Sequence, residues 1–175
     1  MPHYYLDIET SGLDENIDQI ITVQYQKVSV TTGEPIGPLV ILKAWEHGEE
    51  NIVKVISTLM LEDLWNFVPI GNNLTFEFKF LSAKIRKYLG TPITVETFVS
   101  RPHIDIKPIM ILANGGKFKG CHLVLGKKNT GAVIPIWYEE RKFDLIEDYI
   151  HDEAKCFLQF VSKAQQILGN IFGGS

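Results

Sequence analysis

Polar and apolar residues alternate near the start of the chain, where Tyr4, Leu6 and Ile8 interleave with Tyr5, Asp7 and Glu9. A period of two predicts a strand with two unlike faces, and Thr10-Ser11-Gly12 closes it with turn chemistry. After a polar, turn-like stretch from Asp14 to Asp18, the β-branched run Ile20 to Val28 predicts a second strand. Leu39 to Lys43 predicts a third, beyond the turn at Thr31-Thr32-Gly33-Glu34-Pro35. Three strands joined by short turns predict an antiparallel meander. The period then changes. Ile52, Val55, Ile56 and Leu59 recur at helical spacing over Glu49 to Leu59, and Leu61 to Trp65 adds a helical turn. Phe67 to Gly71 reads as a fourth strand, and Thr75 to Leu89 as a helix stopped by Gly90 and Pro92. Between Thr91 and Val133 the pattern is weak, with helical segments at Ile104 to Leu112 and Phe118 to Leu125. Lys142 to Leu168 carries the clearest helical period. Strands first, then helices interleaved with strands, predict an α/β sheet with helices packed on its faces.

The composition fits this picture. With 175 residues, of which 45% are hydrophobic and 22% charged, we expect a single domain over residues 1–172 and a flexible tail at residues 173–175. A formal charge of −4 argues against bulk electrostatic capture of nucleic acid. It is compatible with an enzyme that touches a few phosphates and carries its own metal ions. Cys121 and Cys156 form no C-x-x-C pair, so a reduced protein without a zinc site is expected. No basic-then-apolar leader precedes the first strand, and no apolar run approaches about 18 residues, so a cytoplasmic protein without a membrane partner is expected.

The candidate chemistry lies in the acids. Asp7 and Glu9 are two apart, so a strand points both to one face. Two like charges held together repel unless a cation sits between them, and hard divalent ions such as Mg²⁺ take oxygen ligands. A solvated edge strand with an acidic face is the alternative. On the first long helix, a rotation of about 100° per residue groups Leu74, Leu81, Ile85 and Tyr88 in one stripe. Glu77 falls inside that stripe, with Asn73 on its edge. Such an acid is costly unless it is paired or metal-bound, or turns outward at the helix start. On the last helix Ile146, Ile150, Phe157 and Val161 define the inward stripe, with Glu153 near its middle and Tyr149 on its flank. Asp152 falls on the polar side with Asp148, Lys155, Gln159 and Lys163. A shifted helix would instead expose Glu153. Asp7, Glu9, Glu77 and Glu153 thus converge from three segments. Four such acids suit two divalent ions, Mg²⁺ or Mn²⁺, about 4 Å apart, clamping the attacking and leaving oxygens of a phosphoryl transfer.

Three stretches resemble the motifs of the DEDD 3′–5′ exonucleases, the proofreading and RNA-trimming branch of the ribonuclease H-like proteins. Leu6-Asp7-Ile8-Glu9-Thr10-Ser11-Gly12-Leu13 resembles the first motif. Gly71-Asn72-Asn73-Leu74-Thr75-Phe76-Glu77-Phe78-Lys79-Phe80-Leu81 resembles the second, matching it at Asn73, Phe76, Phe80 and Leu81. Tyr149-Ile150-His151-Asp152-Glu153-Ala154 is similar to the third motif of the DEDDy branch. Val133 to Tyr138, Ile146 to Tyr149 and His103-Ile104-Asp105 also resemble the surroundings of those motifs. Glu77 and Glu153 stand where the family has aspartate, and Asn72 where it often has histidine.

The resemblance implies a ribonuclease H-like mixed sheet, an antiparallel three-strand meander plus parallel strands, with helices on both faces. It implies metal-dependent removal of nucleotides from the 3′ end of single-stranded DNA or RNA, with a polymerase or a repair or RNA-processing protein as a possible partner. Asp7, Glu9, Glu77 and Glu153 are the implied metal ligands, with Asp152 as a substitute for Glu153. Tyr149 completes the catalytic set by orienting the attacking water. Its ordinary pKa near 10 makes it a poor base, so the metal does most of the deprotonation. On the substrate side stand Thr10 and Ser11, whose backbone N–H groups would hold the terminal nucleotide, and Leu13, a wedge against its base. An ordinary surface turn is the alternative. Asn73 and Phe76 join that set. Lys117 and Lys119, clustered with Lys127 and Lys128 beside glycines and Phe118, would track a single-stranded backbone or else form a solvated loop. Each glutamate reaches one methylene further than aspartate, and misplacement of about 1 Å can cost about 100-fold in rate. The substitutions therefore bear on turnover rather than fold. They leave open a nuclease-fold module that binds nucleic acid or a partner without cutting.

Overall fold

The computed structural model describes residues 1–127 and 130–171; Lys128 and the predicted tail at residues 173–175 lie outside the described residues. Strands β1 (His3–Thr10), β2 (Ile20–Val28), β3 (Val40–Lys43), β4 (Val68–Gly71) and β5 (Ile104–Asp105) form a five-stranded sheet in the order β3-β2-β1-β4-β5. The first three pair antiparallel as a meander, and β1–β4 and β4–β5 pair parallel. The opening alternation therefore becomes the central strand of a mixed sheet, an antiparallel meander extended by parallel strands, as expected. The helices are α1 (Ala44–His47), α2 (Glu49–Leu61), α3 (Thr75–Leu89), α4 (Val95–Val99), α5 (Lys107–Ala113), α6 (Cys121–Val124), α7 (Ile134–Glu139) and α8 (Phe143–Ile171).

Because β1 is buried on both sides, each face has its own core. Leu6 and Ile8 pack with Ile52, Val53 and Ile56 of α2 and with Phe78, Leu81 and Ile85 of α3. On the other face Tyr5 and Ile70 pack with Phe157, Leu158 and Val161 of α8. Each such side chain taken out of water contributes about 1.5–3 kcal/mol. Four expectations need correction, and one helix is added. The inward stripe of α2 is Ile52, Val53, Ile56 and Met60, while Val55 and Leu59 are exposed. Leu61 to Trp65 does not extend the helix: α2 ends at Leu61, and Asp63 Oδ1 accepts a 2.9 Å bond from Trp65 N in the turn that follows. Ile104 to Leu112 divides into β5 and α5, with a proline in the first turn of α5. The helix in Phe118 to Leu125 is confined to α6, because Gly120 before it takes φ +81°. The segment Ile134–Glu139, a helix here, carried no prediction of one.

The shortest strand fixes the start of α3. Asp105 Oδ1 accepts from the backbone N–H of Asn73 at 2.9 Å and of Lys107 at 2.9 Å, and Oδ2 accepts from that of Leu74 at 2.9 Å. These bonds satisfy donors that a helix start leaves unpaired. Asn73 adopts φ +67°, a conformation asparagine tolerates better than most residues. Gly71 before it has no room for a side chain, since a Cβ there would lie 2.4 Å from Leu74 Cδ2 and 2.9 Å from the Leu6 carbonyl oxygen. β5 reaches only Ile70 and Gly71 of β4, and Pro69 stands just before them. Asp105→Ala is expected to lower stability by about 1–2 kcal/mol in urea unfolding, the cost of a lost helix cap. An unchanged midpoint would refute the capping role.

Candidate metal centre

The side chains of Tyr5, Asp7 and Glu9 point from β1 toward α8, and their neighbours across the ladder hold them there. Gln24, opposite Asp7, donates from Nε2 to Asp7 Oδ2 at 2.8 Å, and Tyr5 OH donates to the same oxygen at 3.3 Å. Gln24 is itself oriented by Thr22, whose Oγ1 donates to Gln24 Oε1 at 3.0 Å. From α8, Glu153 turns inward and Asp152 outward, as the helical phase predicts. Asp7, Glu9 and Glu153 each bring one carboxylate oxygen within 4.8 Å of the others. Glu77, 4% exposed, lies beside Asp7, and its Oε2 is buried with no hydrogen-bond partner among the described residues.

Two further groups close the site. The ammonium of Lys127 pairs with Glu153 and stands 5.7 Å from the ring centroid of Tyr149. Main chain covers the other side: a Cβ on Gly131 would lie 3.3 Å from Glu9 Oε2 and 3.7 Å from Tyr149 OH. Burial, then repulsion from Asp7, holds Glu9 and Glu77 well above the usual carboxylate range. Burial raises Asp7 as well, against the opposing pull of Lys127 and the bonds from Gln24 and Tyr5. Burial and the charges of Glu9 and Asp7 push the Tyr149 phenol far above its ordinary value, so it stays protonated. The donor set is all oxygen, is oriented by a second layer of hydrogen bonds, and includes an orphaned buried atom. It fits a hard divalent cation, which Asp7, Glu9 and Glu153 would hold with Glu77 facing them from α3.

The remaining predicted residues fall elsewhere. Asp152 is exposed and outside the three-acid group. In the loop after β1, Thr10 Oγ1 donates to the Gly12 carbonyl at 2.6 Å. Ser11 N donates to the Gln19 carbonyl at 3.0 Å, and Ser11 Oγ accepts from Gln19 N at 3.0 Å. These groups serve the loop itself, so the expected backbone N–H of Ser11 is already committed. Leu13 projects at 83% exposure, beside the equally exposed Ile17. Asn73 Oδ1 accepts from Lys107 Nζ at 2.7 Å, and Phe76 packs half-buried with its ring 4.9 Å from that of Phe80. Lys117 and Lys119 are exposed in the loop between α5 and α6. Lys127, grouped with them by sequence, instead turns into the acids.

Lys84 was not singled out in the sequence, although it shares the inward stripe with Leu81, Ile85 and Tyr88. It is 1% exposed, donates to the Asp18 carbonyl and pairs with Glu49 at 3.7 Å. Glu49 also accepts from Ile20 N at 2.7 Å and from Tyr88 OH at 2.5 Å. This buried network ties the loop after β1 to α2 and α3.

No family model matches the sequence, and no curated protein sequence does. The fold is shared with solved structures of exonuclease I. A product-bound exonuclease I aligns with a TM-score of 0.52 and 12% identity over 69% of this chain and 33% of its own. A moderately thermophilic exonuclease I from Methylocaldum szegediense aligns with a TM-score of 0.53 and 18% identity over 69% of this chain and 31% of its own. A zinc-bound complex of E. coli exonuclease I with single-stranded DNA aligns with a TM-score of 0.53 and 12% identity, over 69% of this chain and 31% of its own. At such identities the likeness is one of fold, and it spans about a third of each exonuclease I chain. No helix among the described residues is long and apolar enough to cross a membrane.

The raised carboxylates set a direction for pH dependence. Glu9 and Glu77 keep protons in the folded state that the unfolded chain releases near pH 4.3, roughly the ordinary glutamate value. Without metal, their contribution to stability therefore falls as pH rises from that value through the raised folded values. Thermal melts in EDTA should show this decline, Mn²⁺ should offset it, and Glu77→Gln should flatten it. A slope that Glu77→Gln leaves unchanged would contradict the burial of Glu77 against Asp7.

Proposed function

We propose that this chain is a metal-dependent 3′–5′ exonuclease of the DEDDy type, hydrolysing the terminal phosphodiester of single-stranded DNA or RNA. The observation that carries the reading is the meeting of Asp7, Glu9 and Glu153 oxygens within 4.8 Å at one end of the central strand. The exonuclease I fold supports it, as does the presence of zinc and single-stranded DNA in one of those structures. Divalent Mg²⁺ or Mn²⁺, when bound, supplies the positive charge that lowers the pKa of water and stabilises charge on the reacting phosphate.

The chain's own residues do the rest. Asp7, Glu9, Glu77 and Glu153 converge as carboxyl groups whose full ionisation only cations can balance. Gln24 and Tyr5 fix the angle of Asp7. Tyr149, held protonated, donates a hydrogen bond that orients the attacking water and does not act as base. Leu13 projects from a loop that Lys84 makes rigid and wedges against the terminal base, with Thr10 and Ser11 shaping the loop rather than gripping the nucleotide. Lys117 and Lys119, exposed in the loop between α5 and α6, would offer positive charge to a trailing strand. A polymerase, repair or RNA-processing partner would deliver the strand end.

A second reading, a nuclease-fold module that binds strands without cutting them, is favoured by the pairing of Lys127 with Glu153, which balances part of the charge without metal. The two separate on 5′-labelled single strands of DNA and RNA incubated with Mg²⁺ or Mn²⁺. Stepwise shortening that Asp7→Ala abolishes, and that Tyr149→Phe slows by about 100-fold, supports the enzyme. Retention of intact strands by folded protein supports the module.

A further inference from the structure

The sequence places Lys127 in a basic surface loop, but the structure brings its charge inside. Its backbone N–H donates to the His122 carbonyl at 3.1 Å, anchoring the residue just beyond α6. From there its ammonium reaches Glu153, and the two side chains are equally sheltered at 14% exposure. The ring of Tyr149 lies 5.7 Å away. The carboxylate that Glu153 brings to Asp7 and Glu9 is thus one that the chain's own cation can hold.

A single ammonium is a poor match for this site. It offers one positive charge and three hydrogen-bond donors, against Asp7, Glu9, Glu153 and the neighbouring Glu77. A divalent ion brings twice the charge and draws oxygens into short, direct contact. The ammonium and the ion repel each other and need the same Glu153 carboxylate. There is also room for the ammonium to leave. Lys127 lines a cleft of about 490 Å³ whose lining, beside Trp137, Leu145 and Lys155, includes Asp148 and Asp152, so carboxylates other than Glu153 are there for a retreating ammonium.

Resting on the metal-centre reading, we propose that Lys127 is a built-in competitor of the divalent ion: its ammonium holds Glu153 in the metal-free protein and swings into the cleft when the ion enters. The placeholder keeps the acids gathered without metal, and it sets the metal concentration at which the site fills. Asp152, exposed and unsuited to the three-acid group, receives the displaced charge.

The test is Mn²⁺ binding by calorimetry on the full chain. Lys127→Met should bind Mn²⁺ about 10-fold or more tightly than the unsubstituted protein, a span typical of coupled binding events. Lys127→Arg, which restores the cation, should return affinity toward the original value. Acylation of amines on the unsubstituted protein gives a second readout that needs no variant to fold. The Lys127 amine, resolved from Lys128 by tandem mass spectrometry, should react faster once Mn²⁺ is added. Equal Mn²⁺ affinity in folded Lys127→Met, or acylation that Mn²⁺ leaves unchanged or slows, would overturn the competition while leaving the metal centre intact. Failure of all three proteins to bind Mn²⁺ would overturn the metal-centre reading and this proposal together.

Discussion

Carboxylates buried against one another are the constraint around which this molecule is arranged. Water would relieve their repulsion, but the strand that carries Asp7 and Glu9 lies at the centre of the sheet, with helices on both faces. Relief must come from within the fold. Gln24 and Tyr5 donate to Asp7, and Lys127 approaches Glu153. The balance is incomplete, as the orphaned Glu77 oxygen shows. A buried polar group that lacks a partner is costly even when protonated, and a fold retains it only where something else gains. On the proposed function, the gain is a cluster of hard oxygen atoms held ready before any cation arrives.

Much of this arrangement is legible in the sequence because long, regular elements carry it. The alternation from Tyr4 to Glu9 fixes which carboxylates share a face, and helical phase separates inward Glu153 from outward Asp152 one residue away. What could not be read depends on contacts between distant parts of the chain. β5 exists because Ile104 pairs with Ile70, and its Asp105 reaches backbone donors 31 and 32 residues away. Two residues of strand leave no periodic trace. The inward face of α2 was misjudged at Val55 and Leu59 because both are apolar yet exposed, and one further valine, Val53, shifts the buried stripe. Lys127 meets an acid 26 residues downstream through a loop without periodicity, so only the fold reveals that its charge is internal.

The two long acids, Glu77 and Glu153, enter this frame from helices with firm anchorage. The first turn of α3 hangs on Asp105, and α8 is packed along the sheet through Ile146, Ile150, Phe157 and Val161. Any adjustment of their carboxylates therefore falls to side-chain rotation rather than to movement of the backbone. The loop after β1 is equally constrained, since Lys84, Glu49 and Tyr88 tie it into the body of the protein. Leu13 is exposed in that braced loop, as the proposed contact with a terminal base requires.

The brevity of β5 also bears on how copies of this chain behave when crowded. β4 is paired on its outer side only at Ile70 and Gly71, although Val68 and Pro69 are buried as well. Val68 turns its N–H inward to the Pro2 carbonyl, so by alternation Pro69 occupies the outward position with no N–H to offer. A strand arriving from a neighbouring molecule would find at Pro69 neither an open edge nor a backbone donor. Proline at that margin thus discourages edge-to-edge aggregation without a longer covering strand.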